Sequence, residues 1–269
     1  MSSDSIFAIQ TQGLTRSFGA MTALDHLDLS VERGLIFGLL GPNGAGKSTT
    51  LKMLTTLLEP TAGTARVAGF DIVRDPARVR SRIGYVPQSL SADGALTGFE
   101  NLRLSAKLYG LPPAQRGDRI QEALDFMALG DSAGKLVKQY SGGMIRRLEL
   151  AQAMLHRPSV LFLDEPTIGL DPVARQTVWE KLRELNRDHH TTVLITTHDM
   201  VEADHLCHSL ALLHRGTVAA IGKPAELKAR LGPDADLNDV FTHFAGTDLR
   251  EGGNYRDTQQ SRRAANRHS

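Results

Sequence analysis

The sequence predicts an α/β fold with a parallel sheet at its core, an antiparallel β subdomain and an inserted helical subdomain. Short runs that are apolar on both faces indicate parallel strands covered by helices. They lie at 35–40, 83–86, 160–163 and 193–195. Alternating apolar residues at 23–31 indicate an antiparallel strand ahead of that core. From 96 to 128 the apolar residues keep helical spacing without a strand pattern, so we place the helical subdomain at about 89–150.

The most informative motif is a phosphate-binding loop. Residues 41–49 read GPNGAGKST, a full match to the pattern G-x-x-x-x-G-K-[ST]. The loop follows the apolar run at 35–40 and precedes leucines at helical spacing over 47–58, so it joins a strand to a helix N-terminus. The alternative, a glycine-rich turn with an unrelated lysine, is disfavoured because every motif position and both flanks are present.

Such a loop binds phosphate through backbone N–H groups that turn inward, helped by the dipole of the following helix. Lys47 would reach the β- and γ-phosphates of a nucleotide, and the Ser48 hydroxyl would ligate Mg²⁺. The predicted nucleotide-binding residues of the loop are Gly41, Pro42, Asn43, Gly44, Ala45, Gly46, Lys47, Ser48 and Thr49.

Polar residues follow the other three apolar runs. In chain order they are Gln88, the pair Asp164 and Glu165, and His198. In open parallel sheets, ligands bind beyond the carboxyl ends of the strands. If these strands are neighbours, all of these residues meet around one nucleotide. Taken alone, Gln88 would be an ordinary loop residue and His198 a structural histidine.

Phosphoryl-transfer chemistry suggests a role for each of these residues. Asp164 would hold Mg²⁺. Glu165, which strand alternation points the opposite way, would act as general base toward the attacking water. The alternative for Glu165, a surface carboxylate, is unexpected at the end of so apolar a strand. Gln88 would contact Mg²⁺ and the water, and His198 would donate to the γ-phosphate.

Two further stretches are ambiguous when taken alone. Ser141, Gly142 and Gly143 precede a segment of helical spacing. They are a second candidate anion site or, as the favoured interpretation by itself, a plain helix N-cap. Phe18 could stack on a purine ring, or it could be a packing residue.

Taken in order, the motifs resemble those of the ATP-binding cassette (ABC) ATPases over nearly the whole segment 9–228. They are GPNGAGKST at 41–49, Gln88, YSGGM at 140–144, VLFLDE at 160–165, GLD at 169–171 and TTHD at 196–199. The resemblance implies the ABC ATPase fold on a P-loop NTPase core, with ATP and Mg²⁺ as cofactors and ATP hydrolysis as the activity. The inserted helical subdomain would carry the family signature.

The resemblance also assigns the ambiguous residues. It implies that Phe18 stacks on adenine and that Ser141, Gly142 and Gly143 form the signature. In that family the signature of one protomer contacts the γ-phosphate held by the other, so that two ATP molecules lie within a homodimer. Asp171 would be the loop aspartate that couples the two sites.

Within the family, the chain is most similar to the daunorubicin-resistance type of multidrug exporter ATPase. The shared points are YSGGM, the following Arg146-Arg147-Leu148 and a C-terminal helix. This similarity implies that ATP hydrolysis powers export of a hydrophobic, drug-like substrate through a separate membrane permease. Tyr140 and Met144 replace the usual Leu and Gln of the signature, and Ile168 replaces a small hydroxyl residue. The Ser-Gly-Gly core is intact, so we expect activity.

Composition limits the remaining choices. The chain has 269 residues, a net charge of +1 and one cysteine, Cys207. The near-neutral charge predicts no general affinity for nucleic acid or acidic membranes, and one cysteine excludes an internal disulfide framework. No apolar run approaches the roughly 18 residues needed to span a bilayer, and the N-terminus lacks the basic region of a secretory signal. We therefore expect a cytoplasmic protein, held at the inner face of the cell membrane by its permease.

Two other functions are alternatives to transport. A soluble ABC ATPase that acts on the ribosome or on nucleic acid is disfavoured by the single cassette, the lack of heptads and the single cysteine. A non-catalytic, nucleotide-binding regulatory subunit is disfavoured by Glu165 and His198. We place the ABC ATPase domain at 1–223 and a C-terminal helical extension with a disordered polar tail at 224–269.

Overall fold

The computed structural model describes residues 6–244 of the chain. Strands and helices alternate through most of this range. In chain order they are β1 (Phe7–Phe18), β2 (Met21–Glu32), β3 (Ile36–Leu40), α1 (Lys47–Leu54), β4 (Ala62–Val67), β5 (Phe70–Asp71), α2 (Pro76–Arg80), β6 (Ile83–Val86), α3 (Gly98–Leu108), α4 (Pro113–Phe126), α5 (Gly142–Met154), β7 (Val160–Asp164), α6 (Pro172–His189), β8 (Thr192–Thr197), α7 (Met200–Leu206), β9 (Ser209–His214), β10 (Thr217–Gly222), α8 (Pro224–Ala229) and α9 (Leu237–Phe244).

A six-stranded sheet forms the core, in the order β10-β9-β3-β8-β7-β6. The strands from β9 to β6 pair in parallel, and β10 closes one edge antiparallel to β9. Every residue of β3, β7 and β8 is buried, as expected of strands covered on both faces. The four apolar runs of the sequence are therefore neighbours, in the order β3-β8-β7-β6, and their carboxyl ends share one edge of the sheet.

The second sheet, β2-β1-β4-β5, is antiparallel throughout. Its strand β2 contains the antiparallel strand that the sequence predicts at 23–31. Leu24 and Leu27 of this sheet share a hydrophobic core with Leu51 and Leu54 of α1. Helix α1 also contacts β7 and β8. It therefore lies between the two sheets, which fixes the position of the phosphate loop that precedes it.

Helix α1 is shorter than the sequence predicts. It ends at Leu54 and not at Leu58. Thr56 adopts a positive φ of 64°, a conformation outside the right-handed helical region. Leu58 still packs against the core of the antiparallel sheet, but it does so from the turn that follows the helix.

The segment predicted to be an inserted helical subdomain carries α3, α4 and α5, which pack on one another. Helix α3 begins with a capping box formed by Thr97 and Glu100. The Glu100 carboxylate accepts hydrogen bonds from the backbone N–H and the hydroxyl of Thr97, and these bonds lower its pKa. Helix α5 packs in addition on β6 and α6, so it connects the helical segment to the parallel sheet.

The stretch 134–140 is partly buried within the helical segment. It contains a 3₁₀ turn, Val137–Gln139, and buries Val137 and Tyr140. The Tyr140 hydroxyl donates to the Ser132 carbonyl at 2.7 Å. The tyrosine that departs from the usual signature is thus anchored inside the helical segment.

The last described elements close one side of the core. Helices α8 and α9 lie after residue 223, where the sequence predicts a C-terminal helical extension. Helix α9 buries Leu237, Val240 and Phe241 against α7 and α8. The predicted polar tail lies outside the described residues. Between residues 6 and 244, no helix is long and apolar enough to cross a membrane.

Cys207, the residue after α7, is buried in the core between the sheet and its helices. Burial is the main cause that raises the pKa of its thiol, and the nearby carboxylate of Glu202 adds to the effect. The thiol therefore stays protonated at neutral pH.

Candidate active site

The phosphate loop has the backbone that its sequence predicts. Gly46, the residue at the start of α1, has a φ of 103° and makes no side-chain cap. A Cβ there would lie 2.8 Å from the Ala23 carbonyl oxygen, so this position requires glycine. The first N–H groups of α1 have no acceptor within the helix. They are available to an anion at the helix N-terminus.

Lys47 lies inside this loop and is only 5% exposed. Its Nζ donates to the carbonyl oxygens of Gly41 at 2.8 Å and Pro42 at 3.2 Å. Nζ also lies 3.3 Å from Oε1 of Glu165. The Lys47 ammonium is therefore held against the first two residues of the loop. Its charge is balanced by the buried carboxylate of Glu165, which follows β7.

Asp164, the last residue of β7, accepts two hydroxyl hydrogen bonds. Ser48 Oγ donates to its Oδ1 at 3.0 Å, and Thr196 Oγ1 donates to the same oxygen at 2.6 Å. Carboxylate and hydroxyl oxygens are the ligands that Mg²⁺ prefers, so these residues fit the ion that the sequence predicts. Burial, together with the negative charge of Asp164, raises the pKa of Tyr85 on the neighbouring strand to about 12.

Glu165 does not point away from Asp164, as strand alternation predicts. It adopts a positive φ of 49°, and its N–H is held by the carbonyl and the hydroxyl of Thr196, each at 3.1 Å. This turn lets both carboxylates face the phosphate loop, Asp164 at Ser48 and Glu165 at Lys47. The reversal could not be read from the apolar pattern, because it depends on the conformation of one residue.

His198 completes this cluster. Its Nδ1 lies 3.2 Å from Oε2 of Glu165, and its side chain is about half exposed. The contact lies outside hydrogen-bond geometry, so the buried Oε2 has no donor in this structure. That oxygen keeps a lone pair that can accept a proton or a hydrogen bond from water.

Gln88 and Phe18 lie at the edges of the site. Gln88 is exposed beyond the end of β6, and its backbone carbonyl accepts a 3.0 Å hydrogen bond from Arg146. Phe18 is 44% exposed at the end of β1, and the Arg16 guanidinium lies 4.5 Å from its ring centroid. Both side chains are accessible, but the described contacts do not bring them into the Lys47 cluster.

The signature residues form a second group, at the start of α5. Ser141 Oγ accepts a hydrogen bond from the Met144 N–H at 3.3 Å and so caps the helix. A Cβ at Gly143 would lie 2.7 Å from Cβ of Ala174, which explains the need for glycine. Asp171 caps α6 in the same way, accepting from the Ala174 N–H at 2.9 Å. The signature and Asp171 are thus packed together through Ala174.

The Lys47 cluster and the signature group lie on helices that pack against different elements. Helix α1 contacts β2, β4, β7 and β8, whereas α5 contacts α3, α4, α6 and β6. The structure therefore brings Lys47, Ser48, Asp164, Glu165 and His198 into one cluster. Ser141, Gly142, Gly143 and Asp171 form a second cluster at the N-termini of α5 and α6.

Two buried polar residues beside the site, Thr196 and Glu202, have no predicted role in the sequence. Thr196, fully buried, holds both Asp164 and Glu165. Glu202, also buried, accepts hydrogen bonds from Thr167 at 2.6 Å and from the Trp179 indole at 3.0 Å. These contacts tie the loop after Glu165 to α6 and α7. In the sequence, each is a polar residue that follows an apolar residue. The sequence does not show which groups such a residue would bind.

Comparison with known proteins agrees with this geometry. The profile of the ABC transporter family matches residues 24–168, which is more than half of the chain. The chain belongs to the ABC transporter family. The prediction of family and fold from the sequence motifs is therefore confirmed.

Relatives of this ABC ATPase include named transport subunits. The daunorubicin/doxorubicin resistance ATP-binding protein DrrA of Streptomyces peucetius is 49% identical, over 84% of this chain and 68% of that protein. The Nod factor export ATP-binding protein I of Ralstonia nicotianae is 45% identical, over 81% of this chain and 68% of that protein. They confirm a transport ATPase over the ribosomal or nucleic-acid alternative.

Solved structures give the same fold. An ATP-binding subunit of an ABC transporter superposes with a TM-score of 0.78 at 29% identity, over 89% of this chain and all of that one (100%). A dimeric ATP-binding cassette in a post-hydrolysis state with ADP and Pi superposes with a TM-score of 0.71 at 26% identity, over 80% of this chain and 98% of the other. The chain is an ABC-type ATPase.

The contacts of Thr196 predict that its hydroxyl affects kcat as well as the stability of the fold. Thr196→Val keeps the shape but removes the donor to Asp164 and the acceptor for the Glu165 N–H. We expect the free energy of unfolding to fall by about 1–3 kcal/mol. We expect kcat for ATP hydrolysis to fall by at least about tenfold, because both carboxylates lose their positioning.

Thr192→Val is the matched control. Thr192 lies at the other end of β8, is equally buried, and accepts from the Gly34 N–H at 2.9 Å. Urea unfolding should show a similar loss of stability, while kcat stays at the parental value. Equal kcat values for the two variants would contradict a positioning role of Thr196.

Proposed function

We propose that the cluster around Lys47 hydrolyses ATP with a division of labour between its two carboxylates. The observation that carries this proposal is the convergence of Lys47, Ser48, Asp164, Glu165 and His198 at the carboxyl edge of the parallel sheet. The ATP phosphates would lie in the loop 41–49, with Lys47 neutralising charge on the β- and γ-phosphates. Ser48 and Asp164 would hold Mg²⁺, which supplies further charge neutralisation when bound.

Glu165 is the proposed general base. Its Oε2 is buried, has no hydrogen-bond donor and is 3.2 Å from His198. Its Oε1 is occupied by the Lys47 ammonium in this structure. Phosphates that draw the Lys47 charge toward themselves would weaken this ion pair. Glu165 would then be free to take a proton from the attacking water, with His198 donating to the γ-phosphate.

The peripheral residues complete the proposed site. Phe18 is exposed, with the Arg16 guanidinium 4.5 Å from its ring centroid, and an exposed aromatic ring could stack on adenine. Gln88 would approach Mg²⁺ and the water from the end of β6. We propose these roles for both side chains on the basis of their accessibility and of the family motifs.

Glu165→Gln separates chemistry from binding. Gln is nearly isosteric with Glu, so the fold and the hydrogen bond between Ser48 and Asp164 should be kept. The carboxylate that accepts the proton is lost. We expect the ATP dissociation constant to be retained and single-turnover hydrolysis to slow by roughly 10²–10⁴-fold. His198→Ala should also slow turnover, because a γ-phosphate donor is removed.

The two measurements are an ATP titration and a single-turnover assay on each variant. Parental hydrolysis by Glu165→Gln would exclude Glu165 as the base. Loss of ATP binding in the same variant would mean that Glu165 serves the structure or the metal, and that the roles of Asp164 and Glu165 are misassigned.

We propose that two copies of the chain form a homodimer with ATP at the interface. Ser141 and Gly142 are exposed at the N-terminus of α5, where backbone N–H groups and the helix dipole favour an anion. The first cluster holds one nucleotide without them. A dimeric cassette bound to ADP and Pi, at 26% identity, supports dimer formation. In the proposed dimer, Asp171, which is packed beside the signature, would link the two sites.

Light scattering tests the dimer. We expect Glu165→Gln to dimerise with ATP and Mg²⁺, because the nucleotide is held but not hydrolysed. Adding Ser141→Asp should keep it monomeric: aspartate is a good N-cap, so α5 is preserved, but its charge repels the γ-phosphate. Persistence of the Glu165→Gln monomer at high concentration with ATP bound counts against the shared site.

We propose that the chain powers export of a hydrophobic, drug-like substrate through a separate membrane permease. Relatives named for daunorubicin resistance, at 49% and 46% identity, and for linearmycin resistance, at 37%, support this substrate class. The chain would then act at the inner face of the cell membrane.

We propose that residues 1–223 are the ATPase domain, with its helical subdomain at about 89–150, and that 224–269 is a C-terminal extension.

A cellular assay tests export. Cells that express the chain with the membrane protein that co-purifies with it should accumulate less daunorubicin than cells that express Glu165→Gln with the same membrane protein. Intracellular daunorubicin fluorescence is the readout. Equal accumulation in both strains, with normal ATPase activity of the parent, would exclude this drug as the exported substrate. The proposed mechanism of hydrolysis would not be affected by that result.

A further inference from the structure

Helix α5, the signature helix, carries a buried ion pair that lies outside the cluster around Lys47. Arg146 and Glu149 are each 2% exposed. Arg146 Nη1 donates to Glu149 Oε2 at 3.0 Å, one turn along α5. Both lie on the helix that begins at Ser141, and their charges are neutralised within the helix itself.

This pair binds the segment that follows β6. Arg146 Nη1 donates to the Pro87 carbonyl at 2.8 Å, and its Nη2 donates to the Gln88 carbonyl at 3.0 Å. Glu149 Oε1 accepts from the backbone N–H of Ser91 and from its hydroxyl, the latter at 3.1 Å. The pair therefore holds both ends of 87–91 against α5, including the backbone of Gln88.

Stability alone does not explain a pair at this position. Two charges must be taken out of water, and an apolar pair of similar size is often at least as stable. Burial lowers the pKa of Arg146, against the opposing effects of Glu149 and Asp164, and its Nε has no acceptor. An apolar pair could not fix the segment 87–91 in this way, because two carbonyls, one N–H and one hydroxyl of the segment make four directional hydrogen bonds to Arg146 and Glu149.

The neighbouring arginine shows what a structural role looks like. Arg147 donates to the carbonyls of Met127 at 2.7 Å and Ala128 at 3.2 Å. Both acceptors lie at the end of α4, so Arg147 joins two helices of the same helical segment. Arg146 instead crosses from α5 to the end of a strand in the parallel sheet.

We propose that Arg146 is a positioning residue for ATP hydrolysis. It is held by Glu149, and it fixes Gln88 by donating a hydrogen bond to the backbone carbonyl of Gln88. It thereby ties the position of Gln88, beside one nucleotide, to the helix whose first turn carries Ser141. A movement of α5 is transmitted to Gln88 by hydrogen bonds to its own backbone. The inference rests on the proposed role of Gln88 in hydrolysis.

A double-mutant cycle tests the proposal. Arg146→Lys keeps the charge beside Glu149 but cannot donate to two carbonyls in the planar, forked geometry of Arg. We expect kcat to fall by about tenfold with the ATP dissociation constant changed by less than about twofold, as for a misplaced catalytic group. In a Gln88→Ala background, the same substitution should cause no further loss, because the group it positions is absent.

Arg147→Lys is the matched control, and Glu149→Gln is the second variant should Arg146→Lys fold poorly. Arg147→Lys should leave kcat unchanged in both backgrounds. Glu149→Gln keeps an acceptor for Ser91 and should lower kcat in the parent only. Equal fold losses in both backgrounds would overturn the proposal, because they would mean a general structural effect.

The control variant Gln88→Ala distinguishes the two ways of failing. If it hydrolyses ATP at the parental rate, the proposed role of Gln88 fails and the inference fails with it. If it slows hydrolysis while Arg146→Lys has no effect or an additive one, Gln88 keeps its role and only the positioning by Arg146 is overturned.

Discussion

Parallel pairing of four neighbouring strands is the constraint on which the site depends. In the register of the sheet, Leu40 pairs with Thr197 and Asp164 pairs with Thr196. The phosphate loop therefore leaves the sheet beside the carboxylates and the threonines, although these segments are far apart in the chain. A slip of one residue would turn Asp164 to the other face. Because the strands are buried on both faces, packing of their apolar side chains resists that slip.

The second feature that defines the site is a local exception to strand geometry. Glu165 has a positive φ, a conformation that costs a non-glycine residue about 1–3 kcal/mol. Its N–H bonds to Thr196 and its ion pair with Lys47 offset this cost. The result is that two consecutive carboxylates serve two consecutive loop residues, Lys47 and Ser48. Neither regular alternation nor an extended chain would achieve that arrangement.

The sequence predicted the parts of the molecule that depend on composition over several residues. Apolar runs and the glycine-rich loop predicted the strands and, on the condition that these strands are neighbours, the cluster around Lys47. Gln88, which the sequence also predicts there, lies at the edge of the site. Features that depend on single contacts were not predicted: the end of α1 at Leu54, the burial of Tyr140, and the hold of Arg146 on the loop that contains Gln88. The first depends on the backbone conformation of Thr56, and the other two depend on which carbonyl lies opposite a side chain. No periodic pattern contains that information.

The burial of Cys207 has a practical consequence for spectroscopy. It is the only cysteine in the sequence, it lies in the core, and its thiol stays protonated. Maleimides and spin labels react with exposed thiolates, so the native protein is in effect free of reactive cysteine. A single cysteine introduced on the surface, on α5 or in the antiparallel sheet, would carry the label. Distances between the labelled copies of the proposed homodimer could then be measured without removing a core residue.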